Sequence, residues 1–191
     1  MLKNYLFVIA LFLFAAPAFA QSNDLAVTFG GYFPISGQLS GGNAFATQGN
    51  FGHRIFHVPL ASIYLEIPVA GVPNSGPFLA SNGLLSVGSY SAIFVTPGLR
   101  LKIAPGSPIS PYLAIGGGLA HFSQSGNAFT GSSSTNSGTA DFAGGLEMKI
   151  FPYLSLRGEV RDYYSGSPFS LPNFSERQNQ LLTTGGIVLR F

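Results

Sequence analysis

The sequence contains no cysteine, which excludes disulfide scaffolds, thiolate metal sites and cysteine catalysis. It is also short of charge. Asp, Glu, Lys and Arg make up 8% of its 191 residues, against roughly 25% in ordinary soluble domains. Nine basic and seven acidic side chains leave a formal net charge of +2, so nothing resembles the basic footprint of a nucleic-acid binder. Beyond residue 20 no charge-free apolar run is long enough for a helical membrane span. A chain that crosses a membrane without such a run must cross as strands. What is present is 25 Gly, 18 Phe and 8 Tyr within 46% hydrophobic residues. Disordered chains are poor in aromatics, so disorder of the whole is not expected, and the length fits one domain or two small ones.

Residues 1–20 read as a signal peptide. Lys3 supplies a positive start, Tyr5 to Phe14 an apolar core, and Ala18-Phe19-Ala20 the small-x-small pattern of a cleavage site. Gln21 stands where a lipoprotein would need Cys. Cleavage after Ala20 is expected, leaving residues 21–191 as one exported domain.

From Leu25 onward a two-residue period dominates, the signature of strands with two unlike faces. It begins with Leu25, Val27, Phe29, Gly31 and Phe33 and recurs over about 45–56, 61–69, 91–103, 112–122, 141–150, 154–164 and 181–191. Each segment approaches the ten residues with which a tilted strand crosses a bilayer. The connectors alternate long and short: long at 34–44, 70–90, 123–139 and 165–179, short around Pro59, Pro105-Gly106-Ser107-Pro108 and Pro152. An antiparallel meander with short periplasmic turns and long extracellular loops produces that alternation.

Charge parity separates a membrane barrel from a soluble one. The more apolar face of each strand includes Ile63, Leu65, Ile67 and Val69, then Ile93, Val95, Leu99 and Leu101, then Leu113, Ile115 and Leu119, with Leu146, Met148 and Ile150 farther on. The opposite face holds Arg54, Arg100, Lys102, Lys149, Arg157, Arg161 and Arg190, with Asp24, Glu66, Asp141, Glu147 and Glu159. Those are twelve of the fifteen charges beyond residue 20. Asp162 alone points outward, and Glu176 and Arg177 fall in the last loop. A cation on the lipid face at mid-bilayer costs about 2–4 kcal/mol, so the expected fold is all-β: a transmembrane eight-stranded antiparallel up-and-down β-barrel with a polar inside.

The run Gly186-Ile187-Val188-Leu189-Arg190-Phe191 resembles the assembly signal on the last strand of bacterial outer-membrane barrels. The segment from Gly144 to Lys149, the Pro152 turn and the strand from Leu154 to Tyr164 resemble the penultimate hairpin of small eight-stranded OmpA/OmpX-like barrels. The sequence lacks the peptidoglycan-binding domain found in OmpA, so attachment to the cell wall is not implied. The resemblance implies recognition of Phe191, Leu189 and Ile187 by the barrel assembly machinery, and contact with outer-membrane lipid and lipopolysaccharide. No nucleic acid and no cofactor is expected, a monomer is, and the loops specify no partner.

An eight-stranded barrel is just wide enough for side chains to fill. The nine central charges, Arg54, Glu66, Arg100, Lys102, Glu147, Lys149, Arg157, Glu159 and Arg161, are expected to pair across strands and plug the lumen, with Tyr64 and Tyr112 as further donors. The function read from this is a structural or surface barrel without catalysis. One alternative is a narrow channel for anions or small polar solutes, since basic groups lead seven to five in the inward set. Another is a lipid A-modifying enzyme, because His121-Phe122-Ser123 resembles the His-x-Ser element of the lipid A deacylases. That chemistry needs a carboxylate behind the His, with Asp141 and Glu147 the candidates, while parity turns His121 outward. His53 and His57 lack a third ligand, so no metal site is assigned. Gly116-Gly117-Gly118 is expected to permit close backbone approach, and Pro68 and Pro97 to force bulges or strand ends.

Overall fold

The computed structural model describes residues 22–35, 39–40, 43–75, 78–80, 86–87, 90–124, 133–166 and 177–191. The expected leader, with Ala18-Phe19-Ala20, and Glu176 lie outside them. Eight strands close on themselves: β1 (Asn23–Pro34), β2 (Ala44–Val58), β3 (Ala61–Ser75), β4 in two pieces (Tyr90–Val95 and Gly98–Ile103), β5 (Ile109–Gln124), β6 (Ser133–Phe151), β7 (Leu154–Ser165) and β8 (Gln178–Arg190). Each pairs antiparallel with its chain neighbours, and β8 closes on β1. A separate small sheet joins Leu39–Ser40, Phe78–Ala80 and Ser86–Val87.

The register sets the shape. Stepping across the ladders from Asp24 leads to Gly52, Glu66, Gly98, Gly116, Asp141, Tyr163, Gln180 and back to β1 at Pro34. One circuit therefore climbs ten residues. Eight strands with that stagger, at about 3.3 Å per residue and 4.8 Å between strands, tilt by about 40° and enclose a barrel of roughly 8 Å radius. A tilt of that size lets about ten residues span the hydrocarbon.

Alternation decides the two faces. On β7 the buried residues are Ser155, Arg157, Glu159, Arg161, Tyr163 and Ser165, while Leu156, Val160 and Tyr164 are exposed. The same holds around the barrel, where Leu25, Val27, Phe51, Ile67, Ile93, Leu99, Leu113, Leu146 and Ile187 form an exposed apolar belt. Such a surface would aggregate in water and fits a bilayer.

Four expectations change. Strands run past the alternating segments: β5 and β6 stay paired out to Gln124 and Ser133, inside what reads as a loop from 123 to 139. Beyond the belt both faces of a strand meet water, so hydropathy stops alternating while the hydrogen-bond ladder continues. Lys149 is exposed rather than inward. A register shift between Lys149 and Phe151 breaks the parity beside the turn, and residues 148–151 are all exposed. Arg54 stands at another shift, between Arg54 and Phe56, and is only half-buried.

Pro68 is the fourth. It lies within continuous β3, with no shift beside it. Thr96 N donates to Pro68 O at 3.3 Å, so the bond Pro68 cannot return falls opposite the Thr96-Pro97 gap of β4, where the ladder is already interrupted. Pro97 sits at a strand end, as expected, and its carbonyl accepts from Gly117 N at 3.1 Å. A Cβ on Gly116 would collide with Asp141 Oδ1 and with Thr96 O, and one on Gly118 with Val95 O. These glycines therefore serve close backbone approach.

The turn after β4 holds Ala104 at φ 48°, a left-handed conformation that costs a residue with a Cβ roughly 1–2 kcal/mol. It persists because Ala104 N donates to Leu60 O at 2.8 Å and Ala104 O accepts from Ser107 N at 2.9 Å and Ser110 Oγ at 2.8 Å. Ala104→Gly keeps those bonds and is expected to raise unfolding free energy by about 1 kcal/mol, read from urea unfolding in lipid vesicles. A loss of stability would mean that the turn is not strained.

Candidate functional site

The inward positions of all eight strands converge on the lumen, and their chemistry is layered. Toward the short turns lies a charged layer. Arg161 is its hub, with Nε 2.8 Å from Glu159, Nη2 2.6 Å from Glu66 and Nη1 on Asp141. Arg100 pairs with Asp24 and, at 3.0 Å, with Glu66. Glu147 is the acidic counterpart: Lys102 contacts it, Arg157 lies at 2.7 Å and Arg190 at 2.6 Å. Neutral groups complete the shell. Gln48 Nε2 and Tyr112 Oη both donate to Glu159 at 2.6 Å. The rings of Tyr64 and Tyr112 receive guanidinium faces, Arg100 lying 4.6 Å from the Tyr64 centroid and Arg157 5.1 Å from that of Tyr112.

Among the described residues five carboxylates (Asp24, Glu66, Asp141, Glu147, Glu159) meet five cations (Arg100, Lys102, Arg157, Arg161, Arg190) in these pairs. The basic excess of the inward set shrinks to one, because Lys149 is outside and the half-buried Arg54, opposite Tyr64, takes part in no ion pair among the described residues. The paired layer itself is charge-neutral. Buried charge is tolerated only when paired, and here every member has at least one partner of opposite sign.

Above the charges, toward the long loops, lies an apolar layer. Tyr32, Ala46, Ala70, Val72, Ala92, Phe94, Ala120, Phe122, Tyr163 and Leu182 form one buried cluster, drawn from every strand but β6. Phe94 stacks on Tyr163 with centroids 4.4 Å apart and meets Phe122 edge-on at 5.8 Å. Sequence reasoning centred on charge passed over this layer. Its signal was nevertheless present, since Phe94 shares parity with Arg100, and Tyr163 with Arg161.

The remaining candidates do not assemble. His121 is exposed and its Nδ1 lies 2.6 Å from Asn136 Oδ1, while Asp141 and Glu147 face the lumen on the other side of the wall. His53 is paired with Asn23 at 2.8 Å and His57 with Ser62 at 2.7 Å. No group of three metal-ligating side chains occurs among the described residues. Asp162 is half-buried between Phe142 and Leu181 of the flanking strands. On β8, Ile187 and Phe191 are exposed and Leu189 is half-buried, and Phe191 exchanges two backbone bonds with Asn23, at 2.9 and 3.0 Å.

No protein-family model matches this chain, and no curated protein sequence does. Solved structures do. Neisserial surface protein A superposes with a TM-score of 0.63 at 12% identity, over 89% of this chain and 97% of that one. A major outer membrane protein from Thermus thermophilus gives 0.57 at 16% identity, over 88% and 99%. The N-terminal β-barrel domain of Pseudomonas aeruginosa OprF gives 0.55 at 15% identity, over 90% and 98%. Identity at this level speaks for the fold alone. The chain has the closed, eight-stranded antiparallel barrel fold that these outer-membrane proteins share.

Proposed function

We propose that this protein is a structural or surface barrel of the outer membrane of a diderm bacterium, with a lumen closed to solutes and no catalytic role. One observation carries the reading: the inward side chains form a neutral network of paired charges and, above it, a layer of packed apolar side chains. The apolar belt and the outer-membrane proteins of like fold support the location. Purified outer membranes should contain the protein, and unboiled samples should migrate differently from boiled ones on gels. In planar bilayers the protein should be silent. Steady conductance would establish the channel for anions or small polar solutes instead, and hydrolysis of a lipid substrate lost in His121→Ala would establish the lipid-modifying enzyme.

Its partners on this reading are outer-membrane lipid and lipopolysaccharide around the belt, with the barrel as a monomer. The barrel assembly machinery reads Ile187, Leu189 and Phe191 along the outer side of β8. Deleting Phe191 removes a ring and two terminal ladder bonds, a small part of the closed barrel. Levels in the outer membrane are therefore expected to fall severalfold, while the fraction that inserts keeps its heat-modifiable mobility. Unchanged levels at native expression would show that Phe191 is only a rim residue.

A further inference from the structure

We propose that the barrier to passage through this barrel is the apolar layer around Phe94, Phe122, Tyr163 and Leu182, and that the charged layer beneath it, closed at rest, admits water from the short-turn end as its ion pairs exchange. The inference deepens the closed-barrel reading and rests on it.

Order along the strands separates the two layers. On β4, Arg100 and Lys102 lie toward the short turns and Phe94 toward the long loops, with the Thr96-Pro97 break between them. On β7, Arg157, Glu159 and Arg161 come before Tyr163, and on β3 Glu66 comes before Ala70 and Val72. On β1 and β8, Asp24 and Arg190 stand at the short-turn end, and Tyr32 and Leu182 lie farther up. Every strand that carries both kinds of residue carries them in this order. The lowest member, Arg190, keeps 12% of its side chain exposed while the other paired charges are buried, so Arg190 is where the layer meets solvent.

The layers resist permeation differently. Glu147 has four cations within reach and Arg161 three carboxylates. When one pair opens, another partner is already in place, and water can enter between them at little cost. The upper layer has no such exchange. Both layers are buried at rest, but here the two closest ring pairs are packed at 4.4 and 5.8 Å, and an ion entering gives up its hydration with only the tyrosine hydroxyls and the Gln180 amide, which Tyr32 already engages, as polar groups nearby. Apolar constrictions block conduction by this route.

Planar-bilayer recordings of refolded, heat-modifiable protein test this. Wild type, Phe94→Leu and Lys102→Met should be silent, and Phe94→Ala/Phe122→Ala should show steady steps. The absence of native cysteine permits a second reading that does not depend on conductance. A cysteine at Thr28, an inward residue of β1 below Tyr32, should react in oriented vesicles with a small charged thiol reagent added at the short-turn side. From the loop side it should react only when the two phenylalanines are alanine. A silent wild type together with a silent double-alanine variant, or Thr28→Cys labelled from neither side, overturns the inference and leaves the closed barrel standing. So does conductance in Lys102→Met. A conducting wild type overturns both.

Discussion

Replacing Arg161 with alanine should lower the unfolding free energy of the inserted barrel by about 3–5 kcal/mol, the cost of removing one side from a buried ion network. Three carboxylates, Glu66, Asp141 and Glu159, would lose their shared cation. Glu159 retains Gln48 and Tyr112 as donors, and Glu66 retains Arg100. Asp141 has no second cation among these pairs and should account for the largest share. Asp141→Asn in the Arg161→Ala background should then recover part of the loss, because a neutral amide needs no counter-charge. Urea unfolding in lipid vesicles measures both. A loss below about 1 kcal/mol, the range of solvated pairs, would mean that water already screens this network. Arg161→Ala together with Asp141→Asn should also leave conductance unchanged if the apolar layer is the barrier.

The second large effect belongs to the outer face. Ile115 is 63% exposed and lies between Leu99 of β4 and Phe142 of β6, within the belt. Ile115→Arg is expected to cost about 2–4 kcal/mol in a bilayer, because the guanidinium must remain in hydrocarbon or distort the lipid around it. On a water-facing surface the same change would stay within about 0.5 kcal/mol. Lys149→Ala, at the exposed short-turn rim, is the control and should fall in that smaller range. Equal effects at the two positions would mean that the belt does not meet lipid.

Much of the architecture was legible without coordinates, because a strand between two unlike media must alternate. From Ile93 to Ile103 the period holds long enough to place Arg100 and Lys102 inside, on the same side as Phe94, whatever their partners are. Alternating connector lengths likewise imply a meander closed by its first and last strands. The reading failed where the period had no physical enforcement. Lys149 lies next to a turn, where a register shift frees its side chain from parity, and Arg54 lies beside another. The paired ends of β5 and β6 extend beyond the belt, where neither face is selected for hydropathy and only the ladder shows that they are strands. Pro68 read as a defect because its missing bond is visible in sequence and the Thr96-Pro97 gap opposite it is not.

What the sequence determined by itself was which side of the wall most side chains take, since that depends only on odd and even positions within a strand. Who meets whom was decided by tertiary structure. Arg100 reaches Asp24 across 76 residues, and Phe94 stacks on Tyr163, because closure with a stagger of ten residues brings different heights of different strands to one level. Parity carries no information about height. The neutrality of the charged layer and the apolar layer above it therefore emerge only when the register is set, by the ladders, turns and shifts that the closed barrel fixes together.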